Sequence, residues 1–138
     1  MADNVAFELV SPQSLLVSED VEMVVVPGAE GDFGVLPGHS PLISNVRPGV
    51  IHIFEGGSVK SRIFVAGGFA EVTPERCTVL AEEAMPVGDI DRSAAEKELA
   101  DSNDDVRDAG NDAERDAAQR RVAVAMAKIA AVDTPQYQ

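Results

Sequence analysis

The chain carries two histidines, His39 and His52, and one cysteine, Cys77. These could supply metal ligands, or a nucleophile with its base, but no usual ligand spacing joins them. His52 alternates with Ile51 and Ile53, so it is expected to face solvent from a strand. His39 falls in a segment rich in glycine and proline, where a turn or an interface suits it better than catalysis. Cys77 sits in the apolar run Cys77-Thr78-Val79-Leu80 with no basic cluster near it, which reads as a buried structural thiol. A lone cysteine also excludes an internal disulfide. Gly28-Ala29-Glu30-Gly31 lacks the Gly-Lys-Ser/Thr end of a phosphate loop, and Glu30 and Asp32 would repel a phosphate. The acidic pairs Glu82-Glu83 and Asp104-Asp105 read as solvated faces, and no Gly-x-Ser-x-Gly elbow appears. The residues offer no catalytic site, no cofactor site and no metal centre.

What stands out instead is Glu30-Gly31-Asp32-Phe33-Gly34-Val35-Leu36-Pro37-Gly38-His39-Ser40-Pro41-Leu42. Glycine turns and Pro37 stiffen this stretch, which is expected to be a rigid loop presenting apolar and polar groups together. Rigid presentation of that kind suits protein docking.

The elements that must position this loop follow from composition. All five Phe and seven of the eight Pro precede Gly88, and beyond it the only Gly and Pro are Gly110 and Pro135. The first part is expected to form short strands. Phe7-Val10, Leu15-Val17 and an uninterrupted Val21-Val26 come first. Val50-Phe54 and Ser61-Val65 flank a Gly56-Gly57 hairpin turn. Phe69-Val72 and Thr78-Ala81 flank Thr73-Pro74-Glu75-Arg76. Strands at this spacing predict an antiparallel sandwich or flattened barrel. With only 4% aromatic residues and no Trp, its core must be aliphatic.

The second part, residues 89–138, reads as two helices. The first is expected from about Ile90 to Val106, with Ser93-Ala94-Ala95-Glu96 as a capping box and Asp89 as a competing cap. Ala95, Leu99, Ser102 and Val106 form its stripe. Gly110 is expected to close it in the left-handed conformation. Asn111-Asp112-Ala113-Glu114 caps the second, which runs to about Val132 with Pro135 just beyond. Its stripe is Ala118, Val122, Ala125, Ile129 and Val132. A short link makes the pair antiparallel. The stripes are rich in alanine, so apolar burial is thin and the hairpin is expected to detach at low cost.

The formal charge of -13 argues against nucleic acid and against anionic lipid as partners. No apolar stretch reaches the roughly 18 residues that span a bilayer, and Met1-Ala2-Asp3-Asn4 lacks the basic, apolar start of a targeting segment.

Gly31 through Leu42 closely resembles, without a gap, the signature of the epsilon subunit of bacterial and chloroplast ATP synthases, the counterpart of mitochondrial delta. That signature reads approximately Gly-Glu/Asp-x-Gly-x-x-Pro-x-His-x-Pro-Leu. Pro48-Gly49-Val50-Ile51, Val65-Ala66-Gly67-Gly68-Phe69-Ala70-Glu71-Val72, Thr78-Val79-Leu80-Ala81 and Asp89-Ile90-Asp91 resemble further family motifs in order, over residues 5–132. The resemblance implies an α+β chain, with a flattened β barrel of about ten strands over residues 1–88 and an α-helical hairpin over 89–138. It implies a non-catalytic rotor subunit of the central stalk, binding the gamma subunit and the c-ring and coupling proton flow to ATP synthesis. It places Asp32, Phe33, His39 and Leu42 at the partner interface. It implies a peripheral position on the cytoplasmic face of a bacterial inner membrane, reached only through the c-ring.

Family hairpins also reach toward the alpha/beta head to restrain ATP hydrolysis, and Arg115, Arg120, Arg121 and Lys128 are the cations that could do so here. Residues 89–138 hold seven basic against twelve acidic residues, which weakens the case for insertion and points to a tail that is structural or weakly inhibitory. Some members bind ATP through a motif like Ile/Leu-Asp-x-x-Arg-Ala. Here Ile90-Asp91 is followed by Arg92, and Ala94 holds the arginine position. Displacing arginine by two residues turns its side chain by about 200° around a helix, which argues against an ATP site. The competing reading is a stand-alone β-barrel module that senses a nucleotide or another small ligand.

Overall fold

The computed structural model describes residues 4–134. Ten strands come first: β1 Val5–Val10, β2 Leu15–Val21, β3 Met23–Gly28, β4 Gly31–Val35, β5 Leu42–Asn45, β6 Gly49–Glu55, β7 Ser58–Ala66, β8 Phe69–Val72, β9 Arg76–Leu80 and β10 Glu83–Pro86. A single 3-10 turn, Val87–Asp89, leads to α1, Arg92–Asp108, and α2, Asp112–Asp133. The strands form two sheets ordered β2-β1-β9-β8-β5 and β10-β7-β6-β3-β4. All pairs are antiparallel except β1 with β9, which run parallel.

The core lies between the sheets and is aliphatic, as the composition requires. Phe7 and Leu9 of β1 meet Val24 and Val26 of β3 and Ile51 and Ile53 of β6, all essentially inaccessible to solvent. In the first sheet burial alternates along β1 and β8. One face packs and the other is open. In the second sheet burial is nearly continuous along β3, β6 and the end of β7. Both faces of that sheet are therefore covered. The inner face meets the first sheet, and α2 packs on the outer face against β6 and β7. The molecule thus has three layers: sheet, sheet and helical hairpin.

The Gly56-Gly57 hairpin is as expected, with both glycines at positive φ (62° and 79°) between Glu55 and Ser58. Thr73–Arg76 likewise turns β8 into β9. Other expectations are corrected. The run Val21–Val26 is not one strand: it breaks at Glu22, and each half pairs in a different sheet. The rigid loop is only half loop, because Gly31–Val35 pairs with β3 as a strand. The caps expected for α1 are both displaced. Asp91 is the N-cap, and its carboxylate accepts the Ala94 amide at 3.1 Å. The helix runs two residues beyond Val106 and ends without a left-handed glycine, since Gly110 is not among the positive-φ residues. Extended Ala109 makes the exit instead.

Asn111 caps α2 as expected, accepting the Glu114 amide at 2.8 Å. The returning Glu114 carboxylate accepts the Gly110 amide at 2.9 Å, one residue earlier than in the standard box. Cross-links at both levels of the hairpin show that it is antiparallel. Arg92 at the start of α1 grips Asp133 at the end of α2, and Arg121 reaches Asp105 at 2.8 Å. Pro135 lies outside the described residues.

Candidate functional site: the strand-loop signature, the sheet face and the hairpin junction

Asp32 on β4 is not a free loop carboxylate. Arg47 donates from Nη2 to Asp32 Oδ1 at 2.5 Å and from Nη1 to the Gly28 carbonyl at 2.6 Å. One guanidinium therefore clips the β3–β4 hairpin to the segment before β6. Phe33 is half-buried and packs against the core, as does Leu42 at the start of β5. Phe33 also leaves no room beside Gly28, where an added Cβ would stand 2.9 Å from its ring. His39 lies in the tight turn Leu36–His39, closed by the His39 amide on the Leu36 carbonyl, and its Nδ1 stands 2.6 Å from the Ser40 carbonyl. The Gly38 amide bonds the Pro74 carbonyl at 2.8 Å, which ties this turn to the β8–β9 hairpin. The signature thus brings Phe33 and Leu42 to the core and leaves Asp32 and the His39 turn at the surface.

Sequence reasoning missed the apolar row on the open face of the first sheet. Ile43 is 71% exposed, Phe69 41% and Leu80 39%. Phe69 pairs with Asn45 and Leu80, and Ile43 pairs with Glu71, so period-two alternation puts all three on one face. Hydrophobicity alone would bury Phe69 and expose Ala70, but the register does the reverse. The only signal was that Leu42 and Ile43 are adjacent, so one of them has to face outward.

The hairpin meets the sandwich through Lys128. Its Nζ lies 2.9 Å from Glu83 of β10, 3.7 Å from Glu98 of α1 and 5.9 Å from the ring centre of Phe64 on β7. One cation thereby joins α2, α1 and two strands. The side chain is only 12% exposed. Arg115 pairs with Asp112 and Arg121 with Asp105, so three of the four expected tail cations are neutralised within the chain. Among the described residues Arg120 makes no ion pair and lines a groove with Glu82 and Glu83. In the Ile90-Asp91-Arg92-Ala94 stretch, Asp91 is spent on its cap. Arg92 grips Asp133 in a two-pronged contact (2.8 and 2.6 Å) and also meets Glu96. The Arg92 hydrogen bond holds the Asp133 carboxyl below its usual range.

His52 corrects another expectation. It points out of the sandwich, as its alternation with Ile51 and Ile53 predicts, yet it is only 2% exposed. The end of α2 covers it, with a cleft of about 350 Å³ between them. Burial, then the Arg62 guanidinium across the strand pair, pull its pKa below 6.5, against weaker upward contributions from Asp32 and a backbone hydrogen bond at Val50. Cys77 is buried as expected, and burial pushes its thiol up to about 12. Among the described residues no His, Cys, Asp or Glu cluster could hold a metal ion.

A ten-strand sandwich carrying a docked helical hairpin defines a class. Residues 4–87 match the family described as ATP synthase, Delta/Epsilon chain, beta-sandwich domain, and residues 91–137 match the family of C-terminal domains of the ATP synthase epsilon subunit. The ATP synthase epsilon chain of Rhodospirillum rubrum is 53% identical over 131 residues, 95% of this chain and 98% of that one. That of Paramagnetospirillum magneticum is 56% identical over 132 residues, covering 96% and 99%. The protein belongs to the ATP synthase epsilon chain family. Its fold is also that of a subunit in the mitochondrial ATP synthase of Euglena gracilis, with a TM-score of 0.83 at 24% identity, covering 96% of this chain and 83% of that one. No helix among the described residues is long and apolar enough to cross a membrane.

Proposed function

We propose that this protein is a non-catalytic rotor subunit of a proton-translocating ATP synthase, seated between the gamma subunit and the c-ring and transmitting rotation. End-to-end likeness to epsilon chains supports the reading, as does the Euglena complex, described as containing a c-ring. The observation that carries it is the construction of the sandwich. Two hydrogen-bonded sheets share one apolar core, and the strand-loop signature is clipped by Arg47 and by the Gly38–Pro74 bond. A part that carries torque between partners must resist shear, and close-packed cores deform little. Asp32, the His39 turn and the apolar row Ile43-Phe69-Leu80 are the surfaces we assign to partners, with Phe33 and Leu42 supporting them from within.

Residues 1–88 form the coupling unit, and residues 89–138 a regulatory hairpin of weak effect. Its cations Arg115, Arg121 and Lys128 are engaged internally while it is docked, which favours a mild role. ATP is not a ligand in this reading, because Asp91 and Arg92 are committed to a cap and an ion pair. The subunit sits peripherally at the cytoplasmic face of a bacterial inner membrane, held there by the c-ring. A pull-down with purified gamma and c-ring, with and without residues 89–138, tests the assignment. Capture should persist without the hairpin. Failure of the full-length protein to bind gamma would remove the rotor reading. Deleting residues 89–138 in the assembled enzyme should raise ATP hydrolysis less than several-fold, and a larger rise would make the hairpin a strong brake.

A further inference from the structure

His52 occupies an unusual place: a titratable ring on the outer face of a sheet, only 2% exposed and covered by the last turns of a helix. Its cross-strand neighbours are Val25 on β3 and Arg62 on β7. The cleft above it is walled by Ala127, Ala130 and Ala131 of α2 and by its C-cap Thr134, none of which carries charge. The charged neighbours on α2 are held elsewhere, Lys128 by Glu83 and Glu98 and Asp133 by Arg92. On the sandwich side the cleft holds Arg47 and Asp32, which are paired with each other, and the Asp32 carboxylate opposes part of the Arg62 effect by favouring a protonated ring. A proton arriving on His52 would therefore add a cation beside Arg62 under an alanine roof.

We propose that protonation of His52 loosens the docking of α2 on the sandwich, so that the position of the hairpin responds to pH. The proposal rests on the reading of the hairpin as detachable and adds what releases it. Lifting α2 opens the alanine roof and lets water reach the ring, where the cation is solvated and the repulsion from Arg62 is screened.

The sign follows from linkage. The docked state keeps His52 neutral, with its pKa lowered, and the undocked state returns it toward 6.5. Docking is thus at full strength above 6.5 and weakens as pH falls through that value. It levels off only below the lowered docked pKa. The docking constant should fall by up to about tenfold between about pH 7.5 and about pH 5.5, a window above the ordinary carboxylate range.

The test uses the full-length protein with a fluorescent donor and acceptor on Met126→Cys of α2 and Ser58→Cys at the start of β7, buried Cys77 staying unlabelled. Energy transfer should drop as pH falls through the window, and His52→Gln should stay docked and flat across it. A pH-independent signal in the parent protein, in a system where Lys128→Ala opens the hairpin, overturns the role of His52 and leaves the detachable hairpin standing. A hairpin that opens under neither change overturns both. A second readout needs no variant: NMR titration of the two histidines. A His52 ring titrating at or above 6.5 in the docked protein would end the proposal.

Discussion

Replacing Lys128 with alanine should release the hairpin without unfolding the sandwich, and the size of the effect can be worked from three contacts. Glu83 and Glu98 are 41% and 45% exposed. Their attraction to the ammonium is therefore screened, and it contributes about 0.5–1 kcal/mol. The ring of Phe64 at 5.9 Å adds about 0.5 kcal/mol. The apolar stem of the lysine, with the side chain only 12% exposed, contributes about 1 kcal/mol by burial. Neither glutamate is stranded when the lysine goes, because both can rehydrate. The total is about 2 kcal/mol, or roughly a thirtyfold shift of the docking equilibrium toward release. Amide hydrogen exchange in α2 and along β6 and β7 should accelerate by that order, while β1 and β9 keep their protection. Lys97→Ala is the control: its pair with Asp101 is 78% and 59% exposed, so exchange should be unchanged. Equal exchange in the parent and Lys128→Ala proteins would refute the idea that this one junction holds the third layer.

Four further outcomes follow from the packing. Gly68→Ala should unfold or severely weaken the sandwich, by more than about 3 kcal/mol in thermal denaturation, because the new Cβ would collide with the Leu80 carbonyl at a φ of +97°. Ser102→Ala should stabilise the hairpin by about 0.5–1 kcal/mol, since the Ser102 hydroxyl is fully buried without a hydrogen-bond partner among the described residues; the check is a denaturant melt of the full-length protein. Cys77, with its thiol pushed up to about 12, should react with a thiol reagent at mildly alkaline pH orders of magnitude more slowly in the native protein than in denaturant. Ile43→Glu should leave the melting temperature nearly unchanged, as the residue is 71% exposed; a loss of gamma binding by at least tenfold in the pull-down would mark the open sheet face as an interface.

Much of the sandwich was legible because its strands carry their own punctuation. Gly56-Gly57 names a turn that needs two positive φ values, and Val5-Ala6-Phe7-Glu8-Leu9 alternates with the period of a half-open sheet. The misreading of His52 has one cause, which is that alternation along a strand does not report what covers its outer face. Val24-Val25-Val26 and Ile63-Phe64-Val65-Ala66 are continuous apolar runs, the mark of strands buried on both sides. That mark was present, and following it would have predicted a third layer over β6 and β7, with His52 beneath it. The second helix hid its half of the contact for a related reason. It buries Ala118 and Ala125 and turns Ala127, Ala130 and Ala131 to the cleft against the sandwich, so its small residues spread around the cylinder and blur the single stripe that a helix on one surface displays. The break at Glu22 was not legible, because Val21 and Met23 differ in the sheet they join and not in their chemistry.

The docked hairpin also sets a condition on any partner that would use it. Arg121 and Lys128 are bound to Asp105, Glu83 and Glu98, and Arg92 to Asp133, so an acidic surface cannot meet these cations without first replacing their present carboxylates. Exchanging one screened ion pair for another yields little net free energy. The charge of these three residues therefore does not extract the hairpin. The gain has to come from apolar burial of Val122, Ile129 and the alanine faces elsewhere, and that gain is set against the burial of Phe64, Ala66 and His52 that release would undo. Phe64 is the largest of these, and it lies under Lys128. The balance therefore turns on one aromatic ring and its lysine cover, so substitutions at Phe64 and Lys128 should move hairpin position in the same direction. Their combined effect should fall short of the sum of the two, since they share a contact. A double-mutant cycle on Phe64→Leu and Lys128→Ala that gives strict additivity would mean that the cover and the ring act separately, and that the hold on α2 lies elsewhere along the sheet.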